Sequence, residues 1–498
     1  MAITETTLER APYLAGGAKK LFINGDWVEP VQGGTFDTVN PATGEVIAQI
    51  ALGTSEDVDL AVRAARAAFE GPWRAFTPVQ RQNVLLKLAD LIERHWAELR
   101  MLDILEMGSP IGPDISLGAS DLAEYLRYFA GWATKIHGET TRTSQAGNFF
   151  TYTAREPIGV VAAIFPWNRP LANTVWKLAP ILATGCTGVL KPAEEASLSP
   201  LRVGELIQEL DLPPGVVNVV TGDGDSAGAP LANHPDVNKI AFTGSSFTGQ
   251  KIVQAASGNL KRVTLELGGK SPDVVFADAD LDRAIPGAAW GVFLNSGQIC
   301  CAGTRVFVER PIYDDFVRGM AEYADALKVG NPLDPQTVIG PIVSQAQLDR
   351  VTGYLKIGKD EGARAVAGGD RLLEGELANG YFVPPTVFAD VEDSMRIASE
   401  EIFGPVASVL PFDDVDEVVR RANSTQFGLG GAVWTRDVGK AHRVAAGIDS
   451  GVVWVNTYGQ FDPSMPFGGY KMSGWGRELS QHGLEGYLNV KAVWINTD

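Results

Sequence analysis

The sequence predicts an α/β protein made of two doubly wound parallel sheets, and three observations carry that prediction. From residue 158 onward, short β-branched or aromatic runs alternate with segments of helical character. A second series of the same kind begins at Asp273. Glycine is also in excess, with 55 of 498 residues against a usual share of roughly 7%. That excess is expected where many strands turn tightly into helices.

Before the first series come packing elements. Thr77, Pro78 and Gln80 fit the N-cap, first turn and third position of a capping box. Leu85, Leu88, Ile92, Leu99 and Leu102 then keep helical spacing until Gly108 and Pro110 stop it, predicting one helix over 78–107. A second helix is predicted over 116–135. Residues 140–153 are polar and alternating, as in an exposed hairpin. The first series places strands at 160–165, 188–190, 216–220, 239–242 and 263–267, with helices at 170–183, 200–210, 225–232 and 245–257. The second places strands at 273–276, 305–308, 406–411, 431–434 and 451–456, with helices at 280–294, 312–327, 415–422 and 438–446. The boundary between them falls near Gly268 and Gly269. Ligands of such sheets bind outside the carboxyl ends of the strands, so informative residues are expected just after each strand.

Charge and cysteine content narrow the function. Sixty acidic against 42 basic residues give a formal charge of −18, and no stretch is rich in Lys or Arg. A nucleic-acid partner is not expected, and the acidity reads as solubility. Cys186, Cys300 and Cys301 are the three cysteines, too few for a disulfide framework and suited to a reducing compartment. Residues 1–21 carry no apolar run of signal-peptide type. The most apolar region, 158–190, is broken by Asn168, Arg169, Asn173, Lys177 and several prolines, which excludes an uninterrupted membrane span. The expectation is a cytoplasmic protein with no membrane partner.

Several windows carry chemistry. Gly222, Gly224 and Ala227 satisfy a loose phosphate-loop spacing, but Asp223 and Asp225 would face a pyrophosphate with negative charge, so a plain turn is the better reading. Phe242-Thr243-Gly244-Ser245 is a stronger candidate, because a strand ends there and Ser245 opens a helix whose N-terminus favours anions. Cys300 sits in a Gly-rich polar segment that reads as a loop, where it is either a nucleophile or a small buried hydrophobe. No His or further Cys lies at ligand spacing, so no metal is expected. Glu266 interrupts an apolar run at a strand end, as a buried general base or as an outward-facing residue. Asn168 offers an amide to an oxyanion, or simply makes a turn.

Together these windows resemble the aldehyde dehydrogenase superfamily, of the NAD(P)-dependent, non-acylating kind. The resemblance runs from Leu21 to Val493. It rests on Pro166-Trp167-Asn168, Lys191-Pro192-Ala193-Glu194, Phe242-Thr243-Gly244-Ser245, Leu265-Glu266-Leu267-Gly268-Gly269-Lys270, Gly297-Gln298-Ile299-Cys300, Glu400-Glu401-Ile402-Phe403-Gly404-Pro405 and Pro466-Phe467-Gly468-Gly469-Tyr470-Lys471. It implies that Cys300 is a nucleophile forming a thiohemiacetal and then a thioester. Asn168 and the Cys300 N–H would form an oxyanion hole, and Glu266 would activate the hydrolytic water, with Lys177 and Glu478 relaying protons behind it. Trp167, Lys191, Glu194, Gly244, Ser245, Glu401 and Phe403 would hold the cofactor. A carboxylate at Glu194 favours NAD, with NADP possible. The resemblance further implies a Rossmann-like cofactor domain of residues 1–136 and 157–267, a catalytic domain of 268–477, and an oligomerisation arm of 137–156 and 478–498. A homodimer or homotetramer is expected.

Where many relatives carry an apolar aromatic after the Asn, this chain has Arg169, and Asn173 and Asp121 likewise replace commonly apolar residues. Arg169 and Asp121 are expected to meet at the mouth of the aldehyde tunnel, unless Arg169 snorkels to solvent. Trp176, Leu294, Phe461 and Phe467 are expected to keep an apolar throat suited to a bulky aromatic or long apolar aldehyde. The alternatives are a semialdehyde or phosphorylated-aldehyde dehydrogenase, or a catalytically silent relative.

Overall fold

The computed structural model describes residues 9–112 and 118–498. Two seven-stranded sheets organise them. In the first, five strands are parallel, in the order Arg262–Glu266, Lys239–Thr243, Val160–Phe165, Thr187–Pro192 and Val217–Val219. The hairpin Leu21–Ile23 and Asp26–Val28 extends this sheet antiparallel at one edge. The second sheet runs Arg364–Ala367, Thr386–Ala389, Val406–Phe412, Arg305–Glu309, Pro272–Val275, Gly430–Trp434 and Val452–Val455, with only the first of these antiparallel.

Both sheets are covered on both faces, and the strand sequences explain why. Along Val160–Phe165, Val160, Ala162 and Ile164 enter one core while Val161, Ala163 and Phe165 enter another. In the second sheet, Val274 and Val433 face one core, and Val275, Ala432 and Trp434 the other. A strand buried on both sides needs an unbroken apolar run rather than alternation, which is the pattern these strands carry. The core that receives Val161 also receives Val275, so the two sheets share it.

Several expectations change. The helix over 78–107 is two helices, Pro78–Arg94 and Trp96–Met107, because His95 at φ −100° and ψ 11° leaves the helical basin. The predicted capping box at Thr77 and Gln80 is present, and Gly108 ends the second helix at φ +78°. The helix expected over 116–135 is Ala119–Ala133; its predicted first residues, 116 and 117, lie outside the described residues. The hairpin at 140–153 keeps one bridge, Thr140 to Tyr152. Its return strand, Phe149–Pro157, instead pairs along its whole length with Leu488–Asn496. The sequence reading omitted the hairpin Thr35–Asn40 and Glu45–Ala51, and the helices Ser55–Glu70 and Gln345–Asp360. Among the described residues no helix is long and apolar enough to cross a membrane.

Candidate active site

The carboxyl ends of four neighbouring strands supply one wall of the site. Asn168 follows Val160–Phe165, Lys191 lies near the end of Thr187–Pro192, Ser245 follows Lys239–Thr243, and Glu266 closes Arg262–Glu266. The facing wall comes from the loop after the helix Leu281–Phe293. There Asn295, Ser296 and Gly297 adopt left-handed φ of 54°, 56° and 70° in succession. Two such residues with side chains cost roughly 1–2 kcal/mol each, so the surroundings must hold them. At Gly297 a Cβ would collide with the Gly404 carbonyl, so only glycine fits.

What holds the loop is a closed set of amide bonds. Asn295 Nδ2 donates to the carbonyl of Asn168 at 3.1 Å, and Asn168 Nδ2 donates to the carbonyl of Gln298 at 3.0 Å. Gln298 Nε2 returns to the Asn295 carbonyl at 3.2 Å, and its Oε1 accepts from Val343 N at 3.0 Å. Ser296 Oγ donates to Gly340 O at 2.8 Å. The roles of Asn295 and Gln298 were not read from the sequence. The signal available was a run of three polar or Gly residues directly after an apolar helix.

Cys300 follows this scaffold and lines a cavity of about 240 Å³. Its backbone N–H makes no hydrogen bond among the described residues. Contact with the Cys301 thiol, and then burial, push the Cys300 thiol well above its usual range. Cys301 is buried, and its carbonyl accepts from Tyr458 Oη at 2.6 Å. Glu266 lines the same cavity, is 2% exposed, and neither carboxylate oxygen has a hydrogen-bond partner. Burial, and then the Glu478 carboxylate, push its carboxyl well above the usual range, while Lys177 opposes the shift. Gly468 passes so close that a Cβ there would lie 2.8 Å from Glu266 Oε1. Behind Glu266, Lys177 is fully buried and paired with Glu478.

The remaining residues singled out from the sequence fall into two groups. Asn168, Trp176, Leu294, Phe461, Phe467 and Glu478 line the Cys300 cavity, as do Arg169 and Asp121. Phe461 packs against Trp176 and Phe467 with ring centroids 6.0 and 5.4 Å apart. Arg169 and Asp121 share this cavity wall but do not pair. The Asp121 carboxylate accepts from Gly118 N at 2.7 Å, and no ion pair joins it to Arg169 among the described residues. Asn173 is buried and donates to the Arg169 carbonyl at 3.0 Å.

The second group lies outside that cavity. Trp167 and Phe403 meet edge to face at 5.4 Å, and Phe403 holds φ +61° with its carbonyl accepting from Gln347 Nε2 at 2.8 Å. Glu401 Oε1 accepts from Gly269 N at 3.0 Å, and burial pushes its carboxyl up to about 7. Lys191 is buried, with Glu194 at 3.5 Å. Ser245 caps the helix Ser246–Ala256, its Oγ accepting from Thr248 N at 3.1 Å. Gly244 lies between Thr243 and that cap, packed over the Phe242 ring. The Gly222–Ala227 segment is not a plain turn but opens a π-helical turn, Gly224–Gly228: Asp223 accepts from Asp225 N and Ser226 N, filling that helix N-terminus with its own carboxylate.

The model of the aldehyde dehydrogenase family matches residues 27–493. The chain is 50% identical to the human mitochondrial aldehyde dehydrogenase over 479 residues, which is 96% of this chain and 92% of that protein. It is 50% identical over 482 residues to an aldehyde dehydrogenase of Enchytraeus buchholzi, covering 96% of each. The structure superposes on the NAD+ complex of an aldehyde dehydrogenase from Bacillus cereus with a TM-score of 0.95, at 47% identity and 99% coverage of both chains.

Proposed function

The chain belongs to the aldehyde dehydrogenase family, and from that premise we propose that it oxidises its aldehyde through a covalent adduct on Cys300, hydrolysed with Glu266 as base. The chain is an NAD(P)-dependent aldehyde dehydrogenase with NAD as its cofactor. The observation that carries the covalent reading is the Glu266 carboxyl. It is buried in the cavity of Cys300 with both oxygens unbonded, an arrangement that costs stability unless a reacting group or water completes it.

The residues fit NAD. Thr243 Oγ1 is buried without a partner at the strand end beside Ser245. Lys191 and Glu194 would take the adenosine ribose, Ser245 and Gly244 the pyrophosphate, and Glu401, Phe403 and Trp167 the nicotinamide end. Glu194, Glu195 and Asp223 gather around Lys191, which favours ribose hydroxyls over a 2′-phosphate and hence NAD over NADP. When bound, NAD accepts the hydride that leaves the substrate carbon.

The chain's own part follows from its geometry. The resting thiol is protonated, so its proton must leave as sulfur attacks the carbonyl carbon. The ionised Glu266 accepts it. The carbonyl oxygen becomes an alkoxide, held by the free N–H of Cys300 and the second N–H of Asn168 Nδ2, whose first is fixed on Gln298 O. Each such donor is worth about 10²–10³ in kcat. Loss of the carbon-bound hydrogen leaves a thioester on Cys300. Water then attacks while Glu266 takes its proton, the C–S bond breaks, and carboxylic acid and thiol are released. Glu478 and Lys177, paired behind Glu266, would carry the thiol's proton away before water enters, and Glu266 would then return the water's proton to the departing sulfur. The aromatic faces of Trp176, Phe461 and Phe467 favour a bulky aromatic or long apolar aldehyde.

We further propose that residues 1–136 and 157–267 form the cofactor domain, 268–477 the catalytic domain, and 137–156 with 478–498 an arm that makes a homodimer or homotetramer. Exposed Phe149 and Trp494, edge to face at 5.9 Å on one face of the paired arm strands, and exposed Phe150 and Ile495, paired on the other, support this, since exposed apolar surface marks an interface. Native mass measurement tests it. The activity itself is tested by NADH formation from aldehyde and NAD, with Cys300→Ala as control. Undiminished activity in that variant would refute the covalent route.

A further inference from the structure

We propose that the aldehyde carries a carboxylate and that Arg169 binds it. This rests on the covalent reading above and specifies its substrate. Arg169 directly follows the oxyanion residue Asn168 and forms part of the cavity wall with Cys300. Its guanidinium makes no hydrogen bond, no ion pair and no stacking contact with an aromatic ring among the described residues. A guanidinium has five donors and no acceptor, and that of half-buried Arg169 has none of its donors bonded within the protein.

Two of the acidic groups around it are already engaged. Glu478 is paired with Lys177, and Asp121 accepts from Gly118 N. Glu266, whose carboxyl burial pushes well above its usual range, makes no bond to Arg169. Asp103, buried with Oδ1 unbonded, borders a small second cavity together with Arg169 and attracts it, but Arg100 acts on it more strongly and it forms no ion pair with Arg169. Arg169 is therefore the cation lining the substrate cavity, among the described residues, and it stands in no ion pair.

A second donor points the same way. Trp176 Nε1 is buried without an acceptor, on the wall of the same cavity. A hydrocarbon aldehyde leaves both groups unsatisfied. A carboxylate can take two parallel bonds from the guanidinium, and sites built to bond a polar substrate group reject analogues that lack it far more strongly than they reject a changed methylene count. The aromatic throat and the guanidinium together describe an aldehyde acid with an apolar spacer.

The test uses the enzyme with NAD and pairs of aldehydes matched in length: succinic semialdehyde against butanal, and 4-carboxybenzaldehyde against 4-methylbenzaldehyde and its methyl ester counterpart, methyl 4-formylbenzoate. The carboxylated member of at least one pair is expected to have the higher kcat/KM, by at least about tenfold, as a charge-assisted bond implies. Arg169→Leu should abolish that ratio, mainly through KM, and Arg169→Lys should keep part of it. Because each ratio is taken within one protein sample, loss of folded enzyme cancels, and the wild-type ratio stands on its own. Preference for the uncharged member in every pair overturns the proposal. So does an ester handled as well as its acid, or an Arg169→Leu enzyme in which both members fall equally. If uncharged aldehydes are oxidised through Cys300 without any carboxylate preference, this inference fails and the covalent reading survives. If Cys300→Ala oxidises aldehydes undiminished, the covalent reading itself fails.

Discussion

Behind Cys300, the side-chain amides of Asn168, Asn295 and Gln298 are tied to one another's backbone by bonds of 3.0–3.2 Å. In front of it, Glu266 Oε1 and Oε2, Trp176 Nε1 and Thr243 Oγ1 are buried with no partner at all. Native proteins leave few buried polar atoms unbonded, and each exception needs a reason. The contrast separates two tasks. The bonded half fixes where the sulfur and the oxyanion donors stand. The unbonded half is complementary to groups that arrive with substrate, water and cofactor, and it bears the desolvation cost beforehand so that little reorganisation remains during reaction.

The comparison is broken most severely at the sulfur. Cys300→Ser should lower kcat by at least about 10⁴, the scale seen when a nucleophile is removed, as measured by steady-state NADH formation. On the unbonded side, Glu266→Gln should cost about 10²–10⁴ in kcat, the worth of a positioned base. Its pH profile adds a sign. The folded-state carboxyl is held above its usual range by burial, and it acts as a base only once ionised. Wild-type kcat should therefore rise with pH until Glu266 is ionised, and Glu266→Gln should lose that rising limb.

Smaller effects sharpen the other half. Lys177→Met leaves the Glu478 carboxylate buried without its partner and should destabilise the fold by about 3–5 kcal/mol in urea unfolding; adding Glu478→Leu should recover most of it. Asn295→Ala removes the bond to Asn168 and favours a right-handed backbone. It should cost about 1–3 kcal/mol and lower kcat roughly tenfold or more by displacing the nucleophile. A stable Asn295→Ala with unaltered kcat would erase the division between the halves.

The unbonded half was easier to anticipate from sequence than the bonded one. Glu266 inside an apolar run is chemically out of place, so its position invites a functional reading; in the bonded half only Asn168, at a strand's end, does the same. Asn295 and Gln298 look like ordinary loop residues. Their importance depends on three consecutive left-handed residues, which no propensity announces for Asn and Ser in a row. The same blindness to backbone hid the break at His95, where leucine spacing continues unchanged across two helices. Arg169 was conspicuous as a departure from family pattern, but the sequence did not show that Asp121 is engaged by the N–H of Gly118, three residues before it, because the helix was read as starting at 116 and Gly118 is its N-cap.

The central claim is that a thioester forms on Cys300 and that Glu266 serves its hydrolysis. Mixing Glu266→Gln with an aldehyde and NAD, and then weighing the protein and its Cys300 peptide, tests it directly. The expected result is one NADH per site with an acyl group on Cys300 that persists long after the NADH has formed. NADH formed with no acyl group on that peptide, or with the acyl group on Cys301, would contradict the account.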